Sequence, residues 1–166
     1  MLSKKMADKL NKQLNLEFYS SNIYLQMCAW ADAQGLEGTA SFLKKQAVEE
    51  MEHMMKIFDY INESGSMAVV GKIDEPATDY KSVKEVFEKA FAHEKFVTKS
   101  IHKLSESAMA EKDYATHQFL QWYIEEQREE EAQFSSIMDK INLIGADKRG
   151  LYLIDREMAQ RAAQRP

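Results

Sequence analysis

Apolar side chains recur along this sequence at alternating steps of three and four residues, over unusually long stretches. One row reads Val83, Phe87, Ala90, Glu94, Val97, Ile101, Leu104 and Ala108, and a second reads Thr116, Leu120, Tyr123, Gln127, Glu130, Phe134, Ile137 and Ile141. A third holds Leu10, Leu14, Glu17, Ser21, Tyr24, Cys28 and Ala31, and a fourth holds Leu43, Ala47, Glu50, Met54, Ile57 and Ile61. A period of about 3.6 residues sets each row on one face of an α-helix. Local signals mark the ends. The first helix is predicted from about Ser3 to Ala33, before Gly35, and the second from about Glu37 to Ser64, before Gly65. Ser82 with Glu85 three residues on opens a third, to Ala110, in a capping-box pattern. Asp113 opens a fourth, to Leu143 before Gly145, and a short fifth is predicted from about Leu151 to Arg161.

Each of the first four helices would be roughly 40 Å long at about 1.5 Å per residue. Short joins make the first and second, and the third and fourth, antiparallel hairpins. The connection from Ser66 to Lys81 is long enough to run back along the molecule. The expected fold class is therefore all-α: a four-helix bundle with one long crossover connection and a short fifth C-terminal helix, in one domain over residues 1–166.

Every row is broken near its middle by polar residues: Glu17, Glu50, Glu94, and the pair Gln127 and Glu130. One glutamate on an apolar stripe is usually a register-setting residue or a misread period. Four at matching depth form a joint pattern. A buried, unpaired carboxylate costs several kcal/mol, and no Lys or Arg on these rows neutralises them. A bound cation would. His53 lies one turn from Glu50, so both can ligate one ion, an arrangement used in carboxylate-bridged di-metal bundles. Mixed oxygen and nitrogen donors suit iron or manganese better than copper or a thiolate zinc site.

Composition narrows the classes further. Hydrophobic residues make up 45% and charged residues 30%, with only 2 prolines and 6 glycines, a balance for long helices with few turns. The net charge is −5 and no run of five basic residues occurs, so nucleic acid is not an expected partner. The stretch from Met1 to Gln13 is charged throughout and does not read as a signal peptide, and no apolar run is long enough for a bilayer. The single cysteine, Cys28, fits a reducing compartment, and a cytoplasmic location is expected.

The stretches Asn15-Leu-Glu-Phe-Tyr-Ser-Ser21, Glu49-Glu-Met-Glu-His53, Phe119-Leu-Gln-Trp-Tyr123, Glu126-Gln-Arg-Glu-Glu130 and Gly150-Leu-Tyr-Leu-Ile-Asp155 together resemble the non-haem bacterial ferritins, in order and over nearly the whole chain. The resemblance implies a ferritin-like subunit of a hollow shell of 24 copies that oxidises Fe(II) with O2 or peroxide and stores ferric mineral. It implies a first iron held by Glu17, Glu50 and His53, and a second held by bridging Glu50 with Glu94 and Glu130, with Gln127 nearby. Tyr24 matches the tyrosine beside that site, where it would bond a ligand carboxylate or donate an electron; a core tyrosine with a satisfied hydroxyl is the plainer alternative. Glu49, Glu126, Glu129 and Glu130 match a third iron site, although solvated glutamates would give the same letters.

One family feature is missing. Acidic residues that line threefold channels early in helix four are replaced here by Thr116, His117 and Leu120. Bacterioferritin is the nearest rival, since Met51 stands where that family ligates haem. Its second Glu-x-x-His, however, is replaced by Gln127-x-x-Glu130, so no haem is expected. A single cysteine excludes a rubredoxin-type domain. A non-enzymatic helical scaffold, whose glutamates pair with a basic partner, is the alternative from another class.

Overall fold

The computed structural model describes residues 2–145 and 147–164 and contains five helices: α1 (Lys4–Ala33), α2 (Glu37–Glu63), α3 (Val83–Ala110), α4 (Tyr114–Ile144) and α5 (Lys148–Ala163). The expected caps at Ser82 and Asp113 form, and Ser3 adds one on α1. Ser3 Oγ accepts from the Met6 amide, Ser82 Oγ from that of Glu85, and Asp113 Oδ1 from that of Thr116, at 3.0–3.1 Å. Each satisfies an amide that the first helical turn leaves without a partner. Among the described residues no helix is long and apolar enough to cross a membrane.

α1 packs along α2 and α3 along α4, and the two hairpins meet to form the bundle. Residues 64–82 make the crossover. Two asparagines one turn apart on α1 hold it by its backbone. Asn11 Oδ1 accepts from the Val69 amide at 2.7 Å. Asn15 accepts from the Gly71 amide at 2.7 Å and donates to the Val69 carbonyl at 2.8 Å.

The fifth helix departs from expectation. It begins at Lys148, capped by Asp147, and so contains Gly150 instead of following it. Gly150 works here through close approach: a Cβ would stand 2.4 Å from the Gly145 carbonyl oxygen, so only glycine lets the chain turn this tightly into α5. Farther along, Asp155 reaches the start of α2. Its carboxylate accepts from the Gly38 amide at 3.1 Å, the Thr39 amide at 2.8 Å and the Thr39 hydroxyl at 2.9 Å. An anion at a helix N-terminus is favoured by the partial positive charge there.

The rows of apolar residues point inward as the spacing requires, with Cys28 only half-buried and Met27 taking the deeper place on α1. The core is divided. One apolar cluster gathers Tyr24, Met27, Leu43, Phe87, Phe134 and Ile137, and extends to Ile154 and Met158 of α5. The other gathers Met6, Leu10, Leu14, Ile57, Ile101 and Leu120. The polar residues of the four rows lie between the two.

The α2–α5 contact gives a test. A Cβ on Gly38 would stand 2.0 Å from the Asp155 carbonyl oxygen, which is backbone and has no rotamer to adjust. Gly38→Ala is expected to displace α5 and to lower the melting temperature by roughly 5–10 °C, the scale of a severe overpacking change. An unchanged melting curve would mean that α5 does not sit against α2 in this way.

Candidate metal centre

The middle layer is deeply buried. Glu17 and Glu50 are each 1% exposed, Glu94 0% and Glu130 9%. α1 supplies Glu17, α2 supplies Glu50 and His53, α3 supplies Glu94, and α4 supplies Gln127 and Glu130. Each sits near the midpoint of a long helix, where the helical period aims it at the bundle axis. This placement sets the glutamates away from a surface where a partner's basic groups could reach them, which counts against the scaffold reading.

The cluster has two unlike halves. On the α1–α2 side, Glu17, Glu50 and His53 each bring a ligand atom to within 4.8 Å of the other two. Three of their atoms, Glu17 Oε2, Glu50 Oε2 and His53 Nδ1, are buried without a hydrogen-bond partner. His53 Nδ1 stands 3.4 Å from Glu50 Oε2. Orphaned polar atoms at this depth are expensive, and a cation among them would satisfy all three. On the α3–α4 side every carboxylate is hydrogen-bonded. Tyr24 donates its hydroxyl to Glu94 Oε1, and Gln127 donates to Glu94 Oε2 at 3.0 Å. Glu130 Oε2 accepts from both Gln46 and Gln133 at 3.1 Å.

Several residues that hold this geometry escape a reading by apolar rows. Gln13 donates to Glu17 Oε1 at 2.7 Å and itself accepts from Ser100 at 2.6 Å. Gln46, only 1% exposed, lies one turn before Glu50. The available signal was a glutamine one helical turn from three of the four acidic positions: Gln13 before Glu17, Gln46 before Glu50 and Gln133 after Glu130. His53 is fixed by aromatic rings. Trp122 meets it in a T-shaped contact at 5.3 Å between centroids, and Tyr123 donates to its carbonyl at 2.7 Å.

Electrostatics follow from burial. Glu17 and Glu50 are pushed well above the ordinary carboxylate range, first by loss of water and then by neighbouring carboxylates; for Glu17 the leading neighbour is Glu50, and for Glu50 it is Glu94. Glu94 is raised by burial, with Tyr24 and Gln127 pulling the other way. Glu130 is raised to about 7 by burial and by repulsion from Glu94 and Glu49, against the pull of the Gln46 amide. The Tyr24 hydroxyl is raised by burial and then by Glu94, so it stays protonated and able to donate. Without metal, protons on these carboxyls are the remaining way to lower the charge.

Glu49, Glu126, Glu129 and Glu130 line one open groove between α2, α4 and α5, of about 950 Å³. They do not close into a tight cluster. Glu129 is exposed and lies 3.9 Å from Arg128, and Glu49 pairs with Lys45 at 3.6 Å. Burial raises the Glu49 carboxyl, and Lys45 offsets part of that rise. Met51 is half-buried against the second apolar cluster. At the start of α4, Thr116 and Leu120 face the bundle interior, with Thr116 bonded to Asp113 and Tyr60, so of the three only His117 is partly open to solvent.

A carboxyl whose folded-state pKa lies above its unfolded value holds its proton more tightly in the folded chain. Its contribution is intact below the ordinary value of 4.5 and is lost as pH rises through the folded value, about 7 for Glu130. The metal-free protein is therefore expected to melt at a lower temperature at pH 8 than at pH 5.5, with Glu130→Gln reducing the difference. Thermal melts in chelator check this, and a melting temperature that rises over that interval would contradict the assigned burial.

The profile of the ferritin-like domain family matches residues 7–144. A probable bacterial non-heme ferritin-like protein of Haemophilus influenzae is 56% identical over 158 residues, covering 95% of this chain and 96% of that protein. A bacterial non-heme ferritin of Escherichia coli O6:H1 is 45% identical over 159 residues, covering 96% of each. Among solved structures, an open pore ferritin from the hyperthermophilic archaeon Archaeoglobus fulgidus superposes with a TM-score of 0.93 at 44% identity, over 95% of this chain and 96% of that one. With four carboxylate-bearing rows meeting at one depth and relatives matched from end to end, this chain belongs to the ferritin family, among the bacterial non-haem ferritins.

Proposed function

We propose that this chain is an iron-storage subunit that oxidises Fe(II) with O2 or peroxide at the buried cluster. Residues 1–166 act as one di-iron domain on this reading. The observation that carries it is the orphaned trio: Glu17 Oε2, Glu50 Oε2 and His53 Nδ1 converge with no hydrogen-bond partner of their own. Such a donor set suits a divalent first-row metal and is costly without one.

On this reading Fe(II) is the substrate. Glu17, Glu50 and His53 take the first ion. Glu50 bridges to a second, completed by Glu94 and Glu130, with Gln127 holding the Glu94 carboxylate in place. Two Fe(II) supply two electrons, and with two protons O2 becomes hydrogen peroxide; with peroxide as oxidant the product is water. Anionic oxygen ligands favour Fe(III), so the carboxylates drive the oxidation as well as the binding. Tyr24 keeps Glu94 oriented and is placed to supply a further electron. The groove residues Glu49, Glu126 and Glu129, with Glu130, form the third iron position, between the oxidation centre and the storage space. We read Met51 as packing and assign no haem.

Storage requires a shell, which we take to have 24 copies in the cytoplasm. Leu25, Val48, Met67, Val70, Tyr152 and Leu153 are each about half exposed or more, apolar surface that neighbouring copies would cover.

Glu50→Ala and His53→Ala each remove a donor from the first position. Stopped-flow absorbance after mixing Fe(II) with O2 is expected to show initial oxidation slowed by more than about 100-fold, beyond the loss caused by removing a supporting residue. Circular dichroism should show the helices retained. Wild-type rates in both variants would contradict the assigned site.

A further inference from the structure

Neither of the two second-position carboxylates is free, and they are not held alike. Glu94 is bonded through Tyr24 and Gln127, residues already beside the site. Glu130 is held from the other direction. Gln46 on α2 and Gln133 on α4 both donate to its Oε2 at 3.1 Å, and Gln133 also donates to Gln46 Oε1 at 3.1 Å. The three side chains close a small ring. Gln133 and Glu130 both line the acidic groove, and Glu130 is absent from the tight trio of Glu17, Glu50 and His53.

Resting on the ferroxidase reading above, we infer that Gln46 and Gln133 form a latch that parks Glu130 at the groove side, so that the second metal position is complete only when Glu130 leaves them. They are positioning residues for that position. A glutamine amide is a neutral donor. It stabilises the ionised carboxylate without the strong hold of a lysine or arginine, so a divalent ion can outcompete it. The first position needs no such release, because its three donor atoms already lie unpartnered. The result is an ordered site. The first ion enters a prepared trio, and the second must draw Glu130 away from two hydrogen bonds. When it leaves, Glu130 returns to the latch at the groove mouth, beside Glu49.

Removing the latch raises the free energy of the metal-free protein and leaves the two-ion form unchanged, so the second ion binds more tightly. A protonated Glu130 outside the latch limits the gain but cannot reverse its sign. A supporting role in the metal-bound form predicts the opposite, because lost orientation weakens binding. A purely structural role predicts no specific change in the second step.

The test uses anaerobic titration with Co(II), a redox-inert stand-in for Fe(II) whose visible absorption reports each coordination step. A background of Glu126→Gln with Glu129→Gln silences the groove. With wild-type glutamines, two steps are expected, the first tighter. Gln46→Leu and Gln133→Leu are each expected to tighten the second step about tenfold, the scale of one hydrogen bond to a charged group, and to leave the first unchanged. In a Glu130→Gln protein the second step should weaken sharply and the latch substitutions should no longer matter. Gln133 is only half-buried, so its variant preserves the test if Gln46→Leu does not fold. A second step that is unchanged or weaker in the Gln133→Leu protein, with both steps present in its parent, overturns the latch alone. Absence of any Co(II) binding in the parent overturns the ferroxidase reading, and the latch with it.

Discussion

Four helices of this chain each bury a carboxylate at the same depth, and that shared burial is the constraint on which the rest depends. Leucines in those places would make one continuous apolar core and, by simple burial, a more stable bundle. Instead the core is split into two apolar clusters by a layer that only protons or cations can neutralise. The long helices, the serine and aspartate caps and the clamped crossover hold the acidic side chains together against their mutual repulsion.

The two faces of the layer divide the labour. On α1 and α2 the donor atoms converge without partners, a surface already shaped for an ion. On α3 and α4 the carboxylates rest in hydrogen bonds to a tyrosine and to three glutamines. On the proposed reading, uncharged partners suit a carboxylate that changes its company when metal binds, whereas a salt bridge would hold it. No Lys or Arg donates to Glu17, Glu50, Glu94 or Glu130 in the described structure. The basic side chains lie farther out, in the groove, where Lys45 sits beside Glu49.

Much of this was legible in the sequence because helical periodicity is a strong signal over long stretches. The four rows gave the inward faces, and their interruptions gave Glu17, Glu50, Glu94, Gln127 and Glu130. Chain ends were less legible. Gly150 reads as a helix breaker, yet it lies inside α5, where close passage of residue 145 demands a missing side chain. Cys28 was read into a row but is half-buried, because the buried face of α1 steps from Tyr24 through Met27 to Ala31. Gln46 and Gln133 lie off the apolar rows and were passed over for a related reason, although each stands one turn from a buried glutamate. A polar residue beside a row looks like surface until the partner across the bundle is known. The groove glutamates remain the least determined by sequence, since solvated and metal-binding glutamates are spelled alike.

The central claim is that protons stand in for metal in the buried layer. Proton release on metal binding tests it most directly, read by calorimetric titration of the metal-free protein with Fe(II) under argon in buffers of differing ionisation enthalpy. The account predicts net proton release when the first ion binds at pH 7, diminishing as the solution becomes alkaline. Tight binding with no proton release at pH 7 would mean that the carboxylates are already ionised in the interior, and would contradict the account.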